Sequence, residues 1–311
     1  MCLSNSSILS KKSLVINNGS FVLIFKYILI ITNKLCYILF IIQNFSKYLN
    51  MKTIGIIGTG KMGEALIESI IHLEYRIIGS DVNNKTRQMI SQQYGIKMFD
   101  DNYELAKNSD IILLAVKPQY IQPVLKEISE FSGLVISIAA GITIRQIKES
   151  IPGSRIARVM PNTPCLVGEM AAGYSFSDDA TQQDKKIVNE LLNTAGVAVQ
   201  LDENLIDAVT GLSGSGPAFV ARLINYFILA GKNSGLSEKT ARQLTVQTFL
   251  GTAKLLQKKN LSPEELITMV SSPGGTTIEG RKVLEKSDIK EVIDNTVLAA
   301  VNKSKELGKN K

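Results

Sequence analysis

Tryptophan is absent from this sequence, and histidine occurs once, at His72. A catalytic triad or a metal cluster built on histidine is therefore nearly excluded. Cysteine is almost as scarce. Cys2, Cys36 and Cys165 are too few and too scattered for a disulfide framework or a thiolate metal site. Their rarity fits a reducing compartment, and a cytoplasmic location is expected. Acid is missing from the first fifty residues, where Lys11, Lys12, Lys26, Lys34 and Lys47 supply five of the seven net positive charges, leaving +2 on residues 51–311. A nucleic-acid partner needs a clustered basic face, and that body shows none. Low-complexity tracts are missing as well, and only the C-terminal "KELGKNK" reads as disordered.

What is present is 311 residues, 45% of them hydrophobic, enough for one large or two medium domains with real cores. The first fifty residues stand apart. Phe21 to Ile42 has the length of a membrane span, but Lys26, Asn33 and Lys34 interrupt it. No small-residue cleavage site follows it. Met51 then opens "MKTIGIIGTGKMG", which already reads as the first strand of a complete domain. The expectation is an over-extended reading frame whose true start is Met51, with a hydrophobic anchor or a targeting segment as alternatives. No membrane association is expected for the rest.

"KTIGIIGTGKMGEALIESII" reads as a buried strand, a Gly58-x-Gly60-x-x-Gly63 turn and an amphipathic helix. Gly58 permits the tight turn, Gly60 lets the backbone approach a pyrophosphate, and Gly63 lets the helix pack on the strand. The helix N-terminus faces the negative charge. A second strand, "YRIIGSDV", ends at Ser80-Asp81. Asp81 lies where an acid binds the ribose 2′-hydroxyl of NAD, while Lys85 and Arg87 stand ready for a 2′-phosphate. A plain turn role for Asp81 also stands. "SDIILLAVKP" is a continuous apolar run ending in Lys117-Pro118, as in a strand buried on both faces. "GLVISIAAG" and "SRIARVMPNTP" follow as strands, and "MAAGYSFS" and "GVAVQL" flank the helix "QQDKKIVNELLNTAG". This alternation predicts a doubly wound parallel α/β sheet with additions at its edge, spanning residues 51–203.

From residue 204 to 311 the strand signals stop. Pro217 suits a first helical turn, Gly235 a helix end, and Ser237 an N-cap. Ser262, Pro263 and Glu265 form a capping-box sequence. Helices apolar on nearly all sides want neighbours on all sides. This half therefore reads as an all-α dimerisation domain with intertwined partner helices, against a monomeric bundle as the alternative. Within it, "SSPGGTTIEG" (Ser271–Gly280) carries a second capping-box pattern, Thr276 with Glu279, which predicts a helix starting near Thr277. Gly274 and Gly275 free the backbone to aim N–H groups at one spot, and Ser271, Ser272 and Thr277 add hydroxyls. Together with the helix end these make a cradle for a small carboxylate; a capped turn without ligand is the alternative. A dinucleotide in one half and a carboxylate cradle with neutral hydroxyls in the other suit hydride transfer to a protonated cyclic imine.

The chain from Met51 closely resembles the pyrroline-5-carboxylate reductase family. The resemblance rests on "IGIIGTGKMG", "AVKP" (Ala115–Pro118), "AAGITI" (Ala139–Ile144), "MPNTP" (Met160–Pro164), "DAVTGLSGSGPAF" (Asp207–Phe219) and "SSPGGTT" (Ser271–Thr277). It implies a Rossmann-type sheet, a helical dimerisation domain and an active site between subunits of a homodimer or larger homo-oligomer. It further implies that Gly58, Thr59, Gly60, Lys61, Met62, Gly63, Ser80, Asn102, Ala115, Val116, Lys117, Pro118 and Ala140 line NADP(H), with NAD(H) as the other cofactor. Ser272 and the amides of Gly275 and Thr276 would hold the carboxylate of 1-pyrroline-5-carboxylate. The Thr277 hydroxyl would serve the ring nitrogen as the reaction forms L-proline. Two features depart from the family: Cys165 after "MPNTP", read as a packing residue, and the fifty-residue extension. The rivals are another imine or keto-acid reductase of this architecture and a non-catalytic dinucleotide sensor.

Overall fold

The computed structural model describes residues 51–309. The apolar segment Phe21 to Ile42, and with it the choice among the readings of residues 1–50, lies outside the described residues. Along the chain the order is β1 (Thr53–Ile57), α1 (Lys61–Ile70), β2 (Arg76–Ser80), α2 (Asn84–Tyr94), β3 (Lys97–Phe99), α3 (Asn102–Lys107) and β4 (Ile111–Leu114). Then come α4 (Ile121–Glu127), β5 (Leu134–Ser137), α5 (Ile144–Ser150), β6 (Arg155–Met160), β7 (Met170–Phe176), α6 (Gln182–Asn193) and β8 (Gly196–Gln200). Only helices follow: α7 (Ile206–Val209) running into a π turn at Thr210–Gly214, then α8 (Gly216–Asn233), α9 (Glu238–Lys259), α10 (Pro263–Met269), α11 (Thr276–Glu285) and α12 (Ile289–Lys309).

The strands form one sheet in the order β3-β2-β1-β4-β5-β6-β7-β8. Every pairing is parallel except β6 with β7. The central strands are mostly apolar, and β4 (IILL) wholly so, as fits a sheet covered on both faces. Ile54, Ile56, Ile111 and Leu113 point to one face, under Leu66 and Ile67 of α1 and Val188 of α6. Ile57, Ile112, Leu114 and Val135 point to the other, under Leu105 of α3, Leu125 of α4 and Ile147 of α5. The expected doubly wound sheet is therefore present, and its later additions are the antiparallel β7 and its neighbour β8. The strand order reverses between β1 and β4, which opens a crevice at their carboxyl ends. Caps fix where the helices start: Asn83 accepts from the amides of Lys85 and Thr86 ahead of α2, and Thr181 with Asp184 closes a capping box on α6.

In the helical half, Pro217 sits in the first turn of α8, Ser237 caps α9, and Ser262 with Glu265 forms the expected capping box on α10. Phe227 of α8 meets Phe249 of α9 edge to face at 5.3 Å. No residue of α8 or α11 is buried, and Tyr226 and Phe227 are 57% and 58% exposed. The join to the sheet includes a set of polar contacts. Arg158 on β6 is buried and pairs with Glu203 at 3.0 Å, and Glu203 also accepts from the Ile144 amide at 2.7 Å. Asp207 accepts from the Ser304 hydroxyl of α12 at 2.6 Å.

Two local expectations are corrected. The "KELGKNK" segment is not disordered through Lys309, because α12 continues to that residue. Buried Ser304 anchors it to Asp207, and Leu307 lies against the Gly141 turn, where a Cβ on Gly141 would stand 3.3 Å from that of Leu307. The second capping box does not form. Gly275 is the N-cap of α11, no side chain caps it, and Glu279 instead pairs with Lys282 at 2.7 Å.

Candidate active site

The glycine turn follows β1 directly. Gly58 has φ +88, and a Cβ there would lie 2.7 Å from Val116 Cγ1. A Cβ on Gly63 would reach 2.1 Å from the Gly58 carbonyl oxygen, so α1 closes on the turn as only glycine allows. At Gly60, the N-cap of α1, a Cβ would meet nothing within 4 Å, and no side chain caps the helix. Uncapped N–H groups and the positive end of α1 therefore face open space. That arrangement fits a pyrophosphate.

Beside this turn lies a cleft of ≈ 290 Å³ whose walls include Gly58, Ser80, Asp81, Asn102, Val116, Tyr120 and Glu127. The structure thus brings the turn, Ser80, Asn102 and Val116 together. The Ser80 hydroxyl donates to Asn102 Oδ1 at 2.6 Å, and Asn102 Nδ2 donates to Glu127 at 2.6 Å. Ala115 is fixed by the hydrogen bond its backbone N–H donates to the Ile57 carbonyl, and Lys117 is exposed past the carboxyl end of β4. Pro118 opens the short 3-10 turn that follows, and Ala140 lies in the turn after β5. Asp81 is engaged in the turn itself. Its Oδ2 accepts from the Thr59 amide at 3.0 Å and its Oδ1 from the Asn83 amide at 2.8 Å. The Arg87 guanidinium donates to the carbonyls of Asp81 and Val82. Glu127 and Tyr120 were not read from the sequence, because they sit on the chain after Pro118 and no spacing links them to Asn102.

The second cluster is the loop ahead of α11. Ser272, Pro273, Gly274 and Gly275 form a tight turn in which Gly274 has φ +74 and the Gly275 amide donates to the Ser272 carbonyl at 3.0 Å. Pro at the second position and a positive-φ glycine at the third are what a type II turn requires. The Gly275 amide is thus engaged in this turn, where the sequence predicts a free donor. The orphan donors of the helix start are those of Thr276 and Thr277. Ser271 also departs from the expectation: its hydroxyl donates to the Ile267 carbonyl at 2.6 Å and accepts from Arg281 at 3.2 Å. Ser272 does face this turn, since a Cβ on Gly275 would come within 2.8 Å of the Ser272 hydroxyl oxygen. Ser272, Thr276 and Thr277 are exposed. Cys165 is buried, and desolvation pushes its thiol pKa up, which suits packing and disfavours a thiolate.

Among the described residues no group of three or more His, Cys, Asp or Glu could hold a metal, and no helix is long and apolar enough to cross a membrane.

Residues 203–307 match a family model described as pyrroline-5-carboxylate reductase dimerisation, and residues 53–141 match one described as NADP oxidoreductase coenzyme F420-dependent. A pyrroline-5-carboxylate reductase of Methanosarcina acetivorans is 41% identical over 264 residues, covering 82% of this chain and 98% of that protein. One from Arabidopsis thaliana is 37% identical over 261 residues, covering 82% and 95%. Among solved structures, a pyrroline-5-carboxylate reductase from Coxiella burnetii superposes with a TM-score of 0.79 at 34% identity, covering 83% of this chain and 99% of that one. A Plasmodium falciparum pyrroline carboxylate reductase with NADP bound gives 0.72 at 35% identity, covering 83% and 98%. Fold and site thus define an oxidoreductase that uses a nicotinamide dinucleotide bound on a Rossmann-type sheet. The chain belongs to the pyrroline-5-carboxylate reductase family. Its all-α half is a dimerisation domain, and the protein is a homo-oligomer acting on a small molecule.

Proposed function

We propose that the chain reduces the ring imine of 1-pyrroline-5-carboxylate to L-proline, the final step of proline synthesis, with NADPH as the electron donor. The observation that carries this reading is the start of α11, a helix N-terminus without a side-chain cap, entered through a serine-bearing type II turn. When bound, the reduced nicotinamide supplies a hydride to the imine carbon, and the C=N π pair becomes the amine nitrogen's lone pair. The residues of this chain hold and orient the substrate. Amides of Thr276 and Thr277, backed by the positive end of α11, grip the carboxylate, and the Ser272 hydroxyl adds a donor. Thr277 Oγ1 accepts the N–H of the protonated ring nitrogen and so fixes which face of the ring is presented. No strong acid or base is needed, because the electrophile arrives charged. Catalysis is then mostly positioning.

The glycine turn, Ser80, Asn102, Ala115, Val116, Lys117, Pro118 and Ala140 are assigned to the dinucleotide. NADPH is favoured over NADH because the Asp81 carboxylate is already engaged by two amides, while exposed Lys85 in the first turn of α2 offers a cation to a 2′-phosphate. The exposure of Ser272, Thr276 and Thr277 supports completion of the site by a second subunit of a homodimer or larger assembly. Three scattered cysteines support a cytoplasmic location. The test is oxidation of NADPH and NADH by the purified protein with 1-pyrroline-5-carboxylate and, separately, pyrroline-2-carboxylate. Turnover with the first substrate and NADPH is expected. A preference for pyrroline-2-carboxylate, or cofactor binding without turnover, overturns the reading.

A further inference from the structure

Two sequence motifs have no part in the assignments above: "MPNTP" after β6 and "DAVTGLSGSGPAF" at the head of the helical half. The structure joins them. Asn162, buried at 8% exposure, donates from Nδ2 to the Ser213 carbonyl at 3.0 Å and accepts at Oδ1 from the Ala171 amide at 2.9 Å. One carboxamide therefore links the π turn Thr210–Gly214 to the first residues of β7. Its two bonds leave it no freedom to rotate, since the donor and acceptor ends are not interchangeable. The π turn also rests on Met160: a Cβ on Gly214 would come 2.6 Å from Met160 Cε. On its other side, a Cβ on Gly211 would meet Val301 Cγ2 of α12 at 2.5 Å.

These contacts place the turn on the functional side of the sheet. Met160 is the last residue of β6, so the turn sits at the carboxyl ends of the strands, the edge where α/β sheets bind ligands. The 3-10 turn Thr163–Val167 that continues "MPNTP" packs against α1, whose N-terminus is the pyrophosphate site. Asn162 thus stands between the helix that receives the cofactor and the segment that opens the substrate half. A π turn in an otherwise helical run is rare and is found often at functional sites.

We infer that Asn162 is a positioning residue for the reductase reaction: by clamping the π turn to β7 it sets the seat of the helical half over the dinucleotide half, and with it the approach of the substrate ring to the hydride. This rests on the reductase reading above. Asn162→Asp keeps an acceptor for the Ala171 amide but turns the donor facing the Ser213 carbonyl into a second acceptor. The expected result, at a temperature where the variant is fully folded, is an unchanged Kd for NADPH by fluorescence titration. kcat should fall about 10- to 100-fold, as displacements near 1 Å do. The deuterium isotope effect with NADPH labelled at the transferred position should rise, because hydride transfer becomes limiting. Gly211→Ala, whose added carbon would stand 3.0 Å from the Val297 carbonyl oxygen and the Val301 amide nitrogen of α12, displaces the same turn against backbone; it should repeat that pattern and serves if Asn162→Asp does not fold. A folded variant with the parent's kcat and isotope effect overturns the proposal. So does a loss of NADPH affinity that accounts for the lost activity, which would move Asn162 into the cofactor cradle. Failure of the parent itself to turn over 1-pyrroline-5-carboxylate would strike the reductase reading instead.

Discussion

The Thr59 amide donates to Asp81 Oδ2 at 3.0 Å, so the residue after β2 holds shut the turn after β1. Asp81→Ala should therefore act on the turn. Losing a hydrogen bond to a charged group costs about 1.5–3 kcal/mol. NADPH and NADH affinities should fall together, as read by fluorescence titration. A loss confined to NADH would show that Asp81 instead reads the ribose 2′-hydroxyl.

Gly58→Val should abolish dinucleotide binding. The position needs φ +88, and the first added carbon alone would approach Ala115 and Val116 to within 3.0 Å. Calorimetric titration with NADPH checks it, and normal binding would contradict the assigned role of the turn.

Thr277→Ala should lower kcat/KM for 1-pyrroline-5-carboxylate by about 10- to 100-fold, the equivalent of a charge-assisted hydrogen bond worth about 1.5–3 kcal/mol. Thr277→Ser should retain most of the rate, and neither change should move the Kd of NADPH. Steady-state kinetics decide it; an unchanged alanine variant removes Thr277 from the mechanism.

Acid should weaken the fold in part through Asp184. Burial raises the pKa of its carboxyl, but bonds from Arg155 at 2.7 Å and from Thr181 outweigh burial and hold it below the ordinary aspartate value. A carboxylate depressed in the folded state contributes stability that is complete above its unfolded pKa, near 4, and is lost as pH falls through the folded value. Asp184→Asn should lower Tm at pH 7 and flatten the Tm profile between about pH 5 and pH 2. Parallel profiles for parent and variant would refute this.

Much of this was legible in the residues. β1, the glycine turn and α1 follow from an apolar run, three glycines and an amphipathic stretch, and Ser262 with Glu265 announced its helix. Other elements left weaker traces. β3 is three residues long at the sheet edge, with only Met98 and Phe99 to mark it. Thr276 and Glu279 have capping-box spacing, yet Gly275, at ψ 159, takes the N-cap position and Glu279 turns to Lys282. Spacing shows which bonds a cap can make, and the preceding turn decides whether it makes them. The π turn and its bond to Asn162 were hidden for a different reason. A contact across fifty-one residues leaves no periodicity in either segment.

The bare face of α8 carries a last consequence. Helices whose aromatic rings stand in water when the chain is alone are satisfied only by a twin, so folding and association become one mass-action equilibrium. Dilution should then do what heat does, and the melting temperature should climb as the protein is concentrated.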